Sequence, residues 1–287
     1  MSNRSWRVGN VPITQLVENI APIGPAEFLP LATPENMARH DAWLRPHHLD
    51  ADGNLVLSIH ALLVESGGRK IVVDTCVGNR SLPGEYAGIA GGATFLDAFR
   101  DAGFAPETVD LVICTHLHFD HVGWNTIDQD GRRVPCFPNA RHLIQRKEWD
   151  YWTENDERRR FALFNMLHAP LVEAGLLDLV EGEYAVTSEM VTVPTPGHTP
   201  GHVGFVVASG GERAYILGDS SHHPAQVTYP DWYCGADVDP AESSRVRKAL
   251  MDRMEAENAL IAAGHFPFPG IGRAKRVNGR RVFQPIS

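Results

Sequence analysis

The sequence predicts an α/β protein built from two β-rich layers that are flanked by helices. Residues 55–74 form two almost continuously apolar, β-branched runs joined by Gly67-Gly68, a pattern typical of a hairpin whose strands are buried on both faces. The second half of the chain repeats the pattern, with another hairpin turn at Gly210-Gly211. Because neither a composition change nor a long linker separates the halves, we interpret residues 1–287 as a single domain.

The remaining elements follow from apolar periodicity and turn residues. We predict a short helix at 94–102, strands at 109–114 and 140–145, a mostly helical segment at 149–171, and strands at 191–193, 202–208, 214–217 and 260–263. A helix begins after Asp239, which is a favourable N-cap followed by Pro240 and by Glu242 at the capping-box position. Residues 277–280, Val-Asn-Gly-Arg, predict a final hairpin.

Residues 20–50 differ from the rest of the chain. They contain five prolines and the pair His47-His48, and they lack a clear apolar period. This composition predicts an irregular but ordered loop, which is either a lid over a site or a surface meander.

Composition restricts the class of partner. Of the 287 residues 43% are hydrophobic, which is enough for a large core, and the net charge of −9 argues against a nucleic-acid partner. No apolar run is long enough to span a membrane, and the four cysteines form no C-x-x-C pair, as is typical of reduced thiols. We therefore expect a cytoplasmic protein that acts on a small molecule, with no nucleic-acid or membrane partner.

The segment "CTHLHFDHVG" places three histidines and an aspartate within six residues, directly after an apolar strand. His116 and His118 point the same way in an extended segment, and Asp120 and His121 follow where the chain turns, so the four side chains can converge. Imidazole and carboxylate together suit zinc and other first-row metal ions. The alternative is a set of solvated turn histidines.

Three later residues favour the metal interpretation. His198 lies in a Pro/Gly-rich loop before a strand, whereas Asp219 and His265 each follow an apolar strand. Sheet proteins often bind ligands at such strand ends. The seven candidates are sufficient for two metal ions, and a carboxylate could bridge them.

This pattern resembles the metallo-β-lactamase-fold superfamily. His116-x-His118-x-Asp120-His121 matches its H-x-H-x-D-H motif, and the three later residues match its later metal-ligand motifs in order. The resemblance implies a four-layer αββα sandwich of two mixed sheets and two divalent metal ions, zinc being favoured over manganese, iron or cobalt. It also implies the ligand sets: His116, His118 and His198 for one ion, Asp120, His121 and His265 for the other, with Asp219 bridging. Asp74 matches an aspartate that orients the metal-binding loop.

Within the superfamily, the chain looks most like the acyl-homoserine lactonase and organophosphate hydrolase branch. A histidine at position 118 favours hydrolysis, because the oxygen-reducing di-iron members carry glutamate there. The implied reaction is attack by a metal-bridging hydroxide on a lactone or carboxylic ester, with Asp120 handling protons. The alternatives are a phosphotriester hydrolase, a glyoxalase II-like thioesterase and a metal-binding module without turnover. A homodimer is compatible with the resemblance.

His222 departs from the lactonase pattern, since many such lactonases have a tyrosine three residues after the bridging aspartate. We expect His222 to replace that tyrosine as a donor to the substrate oxygen. The alternative is that His222 faces solvent or stacks on a neighbour, with His223 or an aromatic such as Tyr229 lining the pocket instead. We interpret His60 as a hydrogen-bonded core residue and Cys114 as a packed thiol. Five aromatic residues are candidates for an apolar pocket wall: Phe28, Phe119, Trp124, Trp232 and Phe266.

Overall fold

The computed structural model describes residues 3–39, 41–45, 47–80, 92 and 94–286. The first half of the chain contains a mixed β-sheet of seven strands. Neighbouring strands are antiparallel from the first to the fourth position in the sheet and parallel from the fourth to the seventh. In spatial order the strands are β1 (Arg4–Val8), β2 (Val11–Ile23), β3 (Leu55–Ser66), β4 (Arg69–Val73), β5 (Leu111–Ile113), β8 (Arg141–Gln145) and β9 (Leu177–Val180).

A second mixed sheet follows in the chain and faces the first. Adjacent strands within this sheet are antiparallel, except that the third and fourth strands are parallel to each other. Its strands are β10 (Met190–Pro194), β11 (Val203–Ser209), β12 (Glu212–Ile216), β13 (Leu260–Ala262), β14 (Ile271–Val277) and β15 (Arg280–Pro285). A separate hairpin is formed by β6 (Thr126–Gln129) and β7 (Arg132–Pro135).

Helices cover the outer faces of both sheets. The described helices are α1 (Pro25–Phe28), α2 (Pro34–Ala38), α3 (Asp41–Leu44), α4 (Phe95–Asp101), α5 (Arg146–Thr153), α6 (Asp156–Phe161), α7 (Phe164–Leu167), α8 (Ala169–Glu173), α9 (Ala225–Thr228) and α10 (Pro240–Ala256). None of them is both long and apolar enough to cross a lipid bilayer.

Three apolar layers hold these elements together. The middle layer lies between the sheets and combines side chains such as Val64 and Ile113 from the first sheet with Phe205 and Ile216 from the second. A second layer packs the first sheet against α4, α5 and α7, and a third packs the second sheet against α10. The predicted αββα arrangement of two mixed sheets is therefore confirmed.

Several local predictions are confirmed. The glycine-containing turns at 67–68, 210–211 and 278–279 each join two antiparallel strands. Asp239 accepts a hydrogen bond from the Glu242 backbone N–H at 3.0 Å, so α10 begins at the predicted N-cap.

The segment of residues 149–171 is mostly helical, as predicted, but it is divided into four short helices, α5 to α8. Asn155 caps a new helix by accepting from Arg158 N, and Leu163 adopts a left-handed conformation with φ +50° between α6 and α7. A side chain in that conformation interrupts the helical hydrogen-bond series, so the chain changes direction here.

Five strands were not predicted: β1, β2, β9 and the two strands of the β6–β7 hairpin. The 13-residue β2 has the buried polar residues Gln15 and Glu18 within it and a register irregularity between Val17 and Asn19. Both features break the alternation by which a strand is recognised.

In the predicted loop of residues 20–50, β2 continues to Ile23 and three short helices follow, so the segment is more regular than predicted; positions 40 and 46 lie outside the described residues. Leu29, Leu44 and Leu55 pack with Trp232 in a separate small core. This core attaches the segment to the loop between α9 and α10.

Two buried histidines on the outer face of the first sheet make stability depend on pH. Burial lowers the pKa of His142 to about 3 and that of His168 to about 4. In the unfolded chain these histidines bind a proton near pH 6.5. The stability contributed by their neutral form is therefore complete above pH 6.5 and is lost as the pH falls toward the pKa values of the folded state. Each group should cost ~2 kcal/mol of unfolding free energy between pH 8 and pH 5.

Urea unfolding at the two pH values measures this cost. His142→Phe should reduce the difference between pH 8 and pH 5 by ~2 kcal/mol. An unaltered difference in the His142 variant would contradict the prediction.

Candidate metal centre

The predicted site residues follow strand ends at one edge of the two sheets. Residues 116–121 follow β5 of the first sheet, Asp219 follows β12 and His265 follows β13 of the second sheet, and His198 lies in the loop between β10 and β11. β12 and β13 are parallel, so their carboxyl ends meet at the same edge. The fold therefore brings together side chains that are far apart in the sequence.

One carboxylate oxygen, Asp219 Oδ2, lies at the centre of this cluster. The Asp219 side chain is buried, and imidazole nitrogens from both sheets surround the oxygen. The distances from Asp219 Oδ2 to the Nε2 atoms are 3.2 Å for His265, 3.3 Å for His121 and His222, 3.4 Å for His198 and 3.8 Å for His116.

Two groups of three side chains lie on either side of this carboxylate. In the first, the rings of His116, His118 and His198 have centroids 4.5 to 4.8 Å apart. In the second, Asp120 Oδ2 lies 3.7 Å from His121 Nε2 and 3.6 Å from His265 Nε2. Each group has one donor atom per residue within a span that a single metal ion can bridge.

Hydrogen bonds to Nδ1 fix the direction of four imidazoles. The acceptors are Thr115 Oγ1 at 3.0 Å for His116, Asp74 Oδ2 at 2.9 Å for His121, Asp237 Oδ1 at 2.8 Å for His198 and Ser58 O at 3.0 Å for His265. With the proton on Nδ1, each Nε2 presents a lone pair toward Asp219, the arrangement typical of metal-ligating histidines. His118 alone is turned the other way, with Nδ1 3.0 Å from His198 Nε2.

Asp74 organises the loop after β5, as the resemblance implied. It has the left-handed φ of +59°, and its carboxylate accepts hydrogen bonds from the backbone N–H and the hydroxyl of Thr115 and from His121 Nδ1. The same carboxylate therefore orients His121 directly and His116 through Thr115.

Electrostatics favours ligand-competent protonation states. Burial, together with neighbouring imidazoles, lowers the pKa values of His116 and His118 well below their ordinary range. Burial alone would raise the pKa of Asp219, but His121, His265 and His222 lower it well below its ordinary value. Burial alone would lower the pKa of His121, but the carboxylates of Asp219, Asp120 and Asp74 raise it well above its ordinary value. The cluster thus combines neutral imidazoles at His116 and His118 with an ionised carboxylate, whereas His121 releases a proton when it binds a metal ion.

Unpartnered atoms show that the residues fit a metal ion. Among the described residues, His116 Nε2, His121 Nε2 and Asp219 Oδ1 are buried and have no hydrogen-bond partner. Such atoms are costly to bury, and a divalent cation satisfies nitrogen and oxygen lone pairs together. A Cβ at residue 264 would lie 2.6 Å from Asp219 Oδ1, so Gly264 is needed to leave room for this carboxylate.

His222 is buried and lies against the cluster, so the solvent-facing alternative is wrong. Its ring is 4.9 Å from that of His198, stacks on His265 at 5.8 Å and meets the edge of Phe28 at 5.3 Å. His198, Asp219 and His222 also form a group with metal-ligand spacing.

Other histidines have different partners. His202 Nε2 accepts a hydrogen bond from the backbone N–H of Asp219 at 2.9 Å, and its Nδ1 lies 2.7 Å from Thr195 Oγ1. Both ring nitrogens are therefore occupied, which explains why His198 and not His202 faces the cluster. His60 Nδ1 lies within hydrogen-bond distance of Gln15 and Ser58, so its predicted core role is confirmed.

The predicted aromatic wall is partly wrong. Trp124, Trp232 and Phe266 are buried in apolar cores, whereas Phe28 is half-buried beside His222. The half-buried Phe119 packs against the core of the first sheet. Phe161, which was not among these candidates, is 47% exposed.

Sequence reasoning missed the aromatic pair beside His118. The His118 ring lies 5.5 Å from Trp152 and 5.9 Å from Phe161, and those two rings stack. It also missed Asp237, whose carboxylate contacts both His198 and the fully buried Arg247. Nothing in the local sequence separates Asp237 from other loop aspartates.

The fold and the cluster together define a protein with a candidate metal centre at the shared edge of two sheets. A sequence profile of the metallo-beta-lactamase superfamily matches residues 55–265, and the chain belongs to that superfamily.

Relatives and solved structures agree with this assignment. AttM, an N-acyl homoserine lactonase of Agrobacterium fabrum, is 29% identical over 183 residues, which cover 60% of this chain and 64% of AttM. AiiA, an N-acyl homoserine lactonase of Bacillus thuringiensis subsp. kurstaki, is 25% identical over 171 residues, covering 59% and 61%. These matches span less than two thirds of each lactonase.

The crystal structure of hydrolase AbOPH of the beta lactamase superfamily superimposes with a TM-score of 0.81 and 26% identity, covering 99% of this chain and 97% of that one. AidC, a dizinc quorum-quenching lactonase, has the same TM-score and coverage at 23% identity. The likeness to AidC shows the shared fold.

Proposed function

We propose that the protein is a dinuclear metal-dependent hydrolase that opens lactones or cleaves carboxylic esters. The observation that supports this most strongly is the position of Asp219 Oδ2 between two groups of ligand-competent side chains. Two adjacent groups that share one carboxylate suit a two-metal hydrolytic site. The N-acyl homoserine lactonases among the relatives support a lactone as the substrate class.

In this proposal each group holds one ion. His116, His118 and His198 bind the first, Asp120, His121 and His265 bind the second, and Asp219 contacts both. Besides the bridging carboxylate there are six donor side chains, and five of them are imidazoles. This donor set favours zinc, although manganese, iron and cobalt also accept such ligands. Bound metal ions supply Lewis acidity toward the substrate oxygen and lower the pKa of water.

Asp120 and His222 have the proposed catalytic roles. The Asp120 side chain is 17% exposed, so its carboxylate is accessible from the open side of the site. In this proposal it accepts a proton from the attacking water and returns it to the leaving alkoxide. His222, whose Nε2 lies 3.3 Å from Asp219 Oδ2, donates a hydrogen bond to the substrate oxygen. Phe28 lies next to His222 and Phe161 next to His118, and both aromatic rings suit an apolar acyl group.

A substrate panel tests the proposed function. Purified protein loaded with zinc or manganese should hydrolyse lactones or aryl esters faster than a thioester, a phosphotriester or a β-lactam. Elemental analysis of the same samples should give two metal ions per chain. A stoichiometry near one in an active, metal-replete sample, or a preference for the phosphotriester or thioester, would contradict the corresponding part of the proposal.

Asp120→Asn should reduce kcat by ~10²-fold or more while the protein stays folded, because it removes both a second-group carboxylate and the proton carrier. Steady-state kinetics and metal content measure the two effects. Asp178→Asn, at an aspartate that pairs with Arg141 in β8, is the control and should leave kcat unchanged. Near-normal activity in a fully metallated Asp120 variant would refute both roles.

His222→Ala should lower kcat more than it raises KM, since a donor to charge that develops in the transition state is lost. His222→Tyr should recover part of the activity, most clearly toward lactones, because a phenol restores a donor. His223→Ala is the matched control: that neighbouring imidazole is also buried but contacts the His48 carbonyl.

Metal content separates the two roles that His222 can have. The Ala variant should keep both ions, because the seven proposed ligands remain. Loss of metal would instead assign His222 as a further ligand, and unchanged kcat would exclude a catalytic role.

A further inference from the structure

Glu148, on α5, is a fully buried carboxylate that contacts both loops of the first metal group without belonging to it. We infer that Glu148 is a positioning residue that holds the loop of His116 and His118 against the loop of His198, so that three imidazoles are spaced for one metal ion. The inference rests on the metal centre proposed above.

Four donors surround the carboxylate. Oε1 accepts from the backbone N–H of Leu117 at 3.0 Å and from Trp152 Nε1 at 2.7 Å. Oε2 accepts from Thr199 Oγ1 at 2.7 Å and from the backbone N–H of Gly201 at 3.1 Å. Each oxygen therefore has two donors, the full complement for an ionised carboxylate.

The donors are placed on both ligand loops. Leu117 lies between His116 and His118 in the loop after β5, whereas Thr199 and Gly201 follow His198 in the loop before β11. β5 and β11 belong to different sheets, so one side chain joins the two halves of the sandwich at the first metal group. One oxygen binds each loop, which fixes the distance between them.

The contact is too close for any side chain at position 201. A Cβ there would lie 2.1 Å from the backbone nitrogen of Glu148, so the His198 loop rests directly on the helix backbone. Glycine at this position permits the N–H of Gly201 to reach the carboxylate. The His198 loop and α5 can therefore pack together in only one relative position.

Glu18 is a matched comparison within the same protein. It is also buried, and it accepts from the backbone N–H groups of Val77 and Gly78 and from Trp124 Nε1. Val77 and Gly78 follow β4, and Trp124 lies at the far end of the loop after β5, beyond His121, so none of these donors is adjacent to a ligand of the first metal group. Replacing either glutamate by glutamine places an NH₂ group against N–H donors, so both variants lose a similar buried interaction.

The test measures Co²⁺ affinity of the first group alone. In a His265→Ala background, which removes a nitrogen of the second group, Co²⁺ binding is followed by its visible absorption and by competition with a chelator. Glu148→Gln should raise the Co²⁺ Kd ~10- to 100-fold and alter the absorption, because the imidazoles lose their spacing. Glu18→Gln should leave both unchanged, although urea unfolding should show that it destabilises the fold.

Thr199 provides a milder second test if Glu148→Gln does not fold. Thr199→Val removes one donor and should raise the Kd by a smaller factor, whereas Thr199→Ser keeps the hydroxyl and should preserve the parent affinity. Equal Kd values for Glu148→Gln, Thr199→Val and the parent would overturn the inference. A parent that binds no Co²⁺ would overturn the proposed metal centre itself, a result distinct from selective failure at Glu148.

Discussion

The structure of the site depends on one buried oxygen, Asp219 Oδ2, and on the imidazoles that approach it from both sheets. A carboxylate excluded from water is unfavourable unless charge or hydrogen bonds compensate it. Here the compensation comes from chain segments separated by more than a hundred residues, such as His121 after β5 and His265 after β13. The two sheets must meet in a single relative position for all of these distances to be satisfied together.

That requirement explains the backbone around the oxygen. Gly218 has a φ of +49°, and an added Cβ there would lie 2.8 Å from His202 Nε2; Gly264 has similarly little room beside Asp219 Oδ1. Both glycines immediately precede a site residue at the end of a strand. The close packing lets the backbone N–H of Asp219 donate a hydrogen bond to His202 Nε2. This hydrogen bond fixes the backbone position from which the Asp219 side chain extends.

The sequence predicted best what depends on nearby residues. The glycine hairpins, the N-cap of α10 and the dense motif of residues 116–121 are local patterns, and they predicted both the elements and the convergence of the site. The strand β2 was missed because Gln15 and Glu18 interrupt its apolar pattern, and the partners of these side chains come from distant segments. Asp237 and Glu148 were missed for the same reason: each is a single polar residue whose role appears only when His198 or Leu117 is brought beside it.

The walls of the site follow a different rule from its centre. The superfamily profile begins at residue 55, yet Phe28 of α1 lies against His222, and α1 is attached through the small core of Leu29, Leu44 and Trp232. On the other side, Phe161 stands 47% exposed beside His118 on a helix that belongs to the broken segment after β8. The side chains of the two proposed ligand groups are constrained by several simultaneous distances to Asp219, whereas Phe28 and Phe161 are held only by ring and core packing at the edge of the site. Under the proposed function, substrate preference can therefore change through these aromatic residues while the two ligand groups at the centre stay the same.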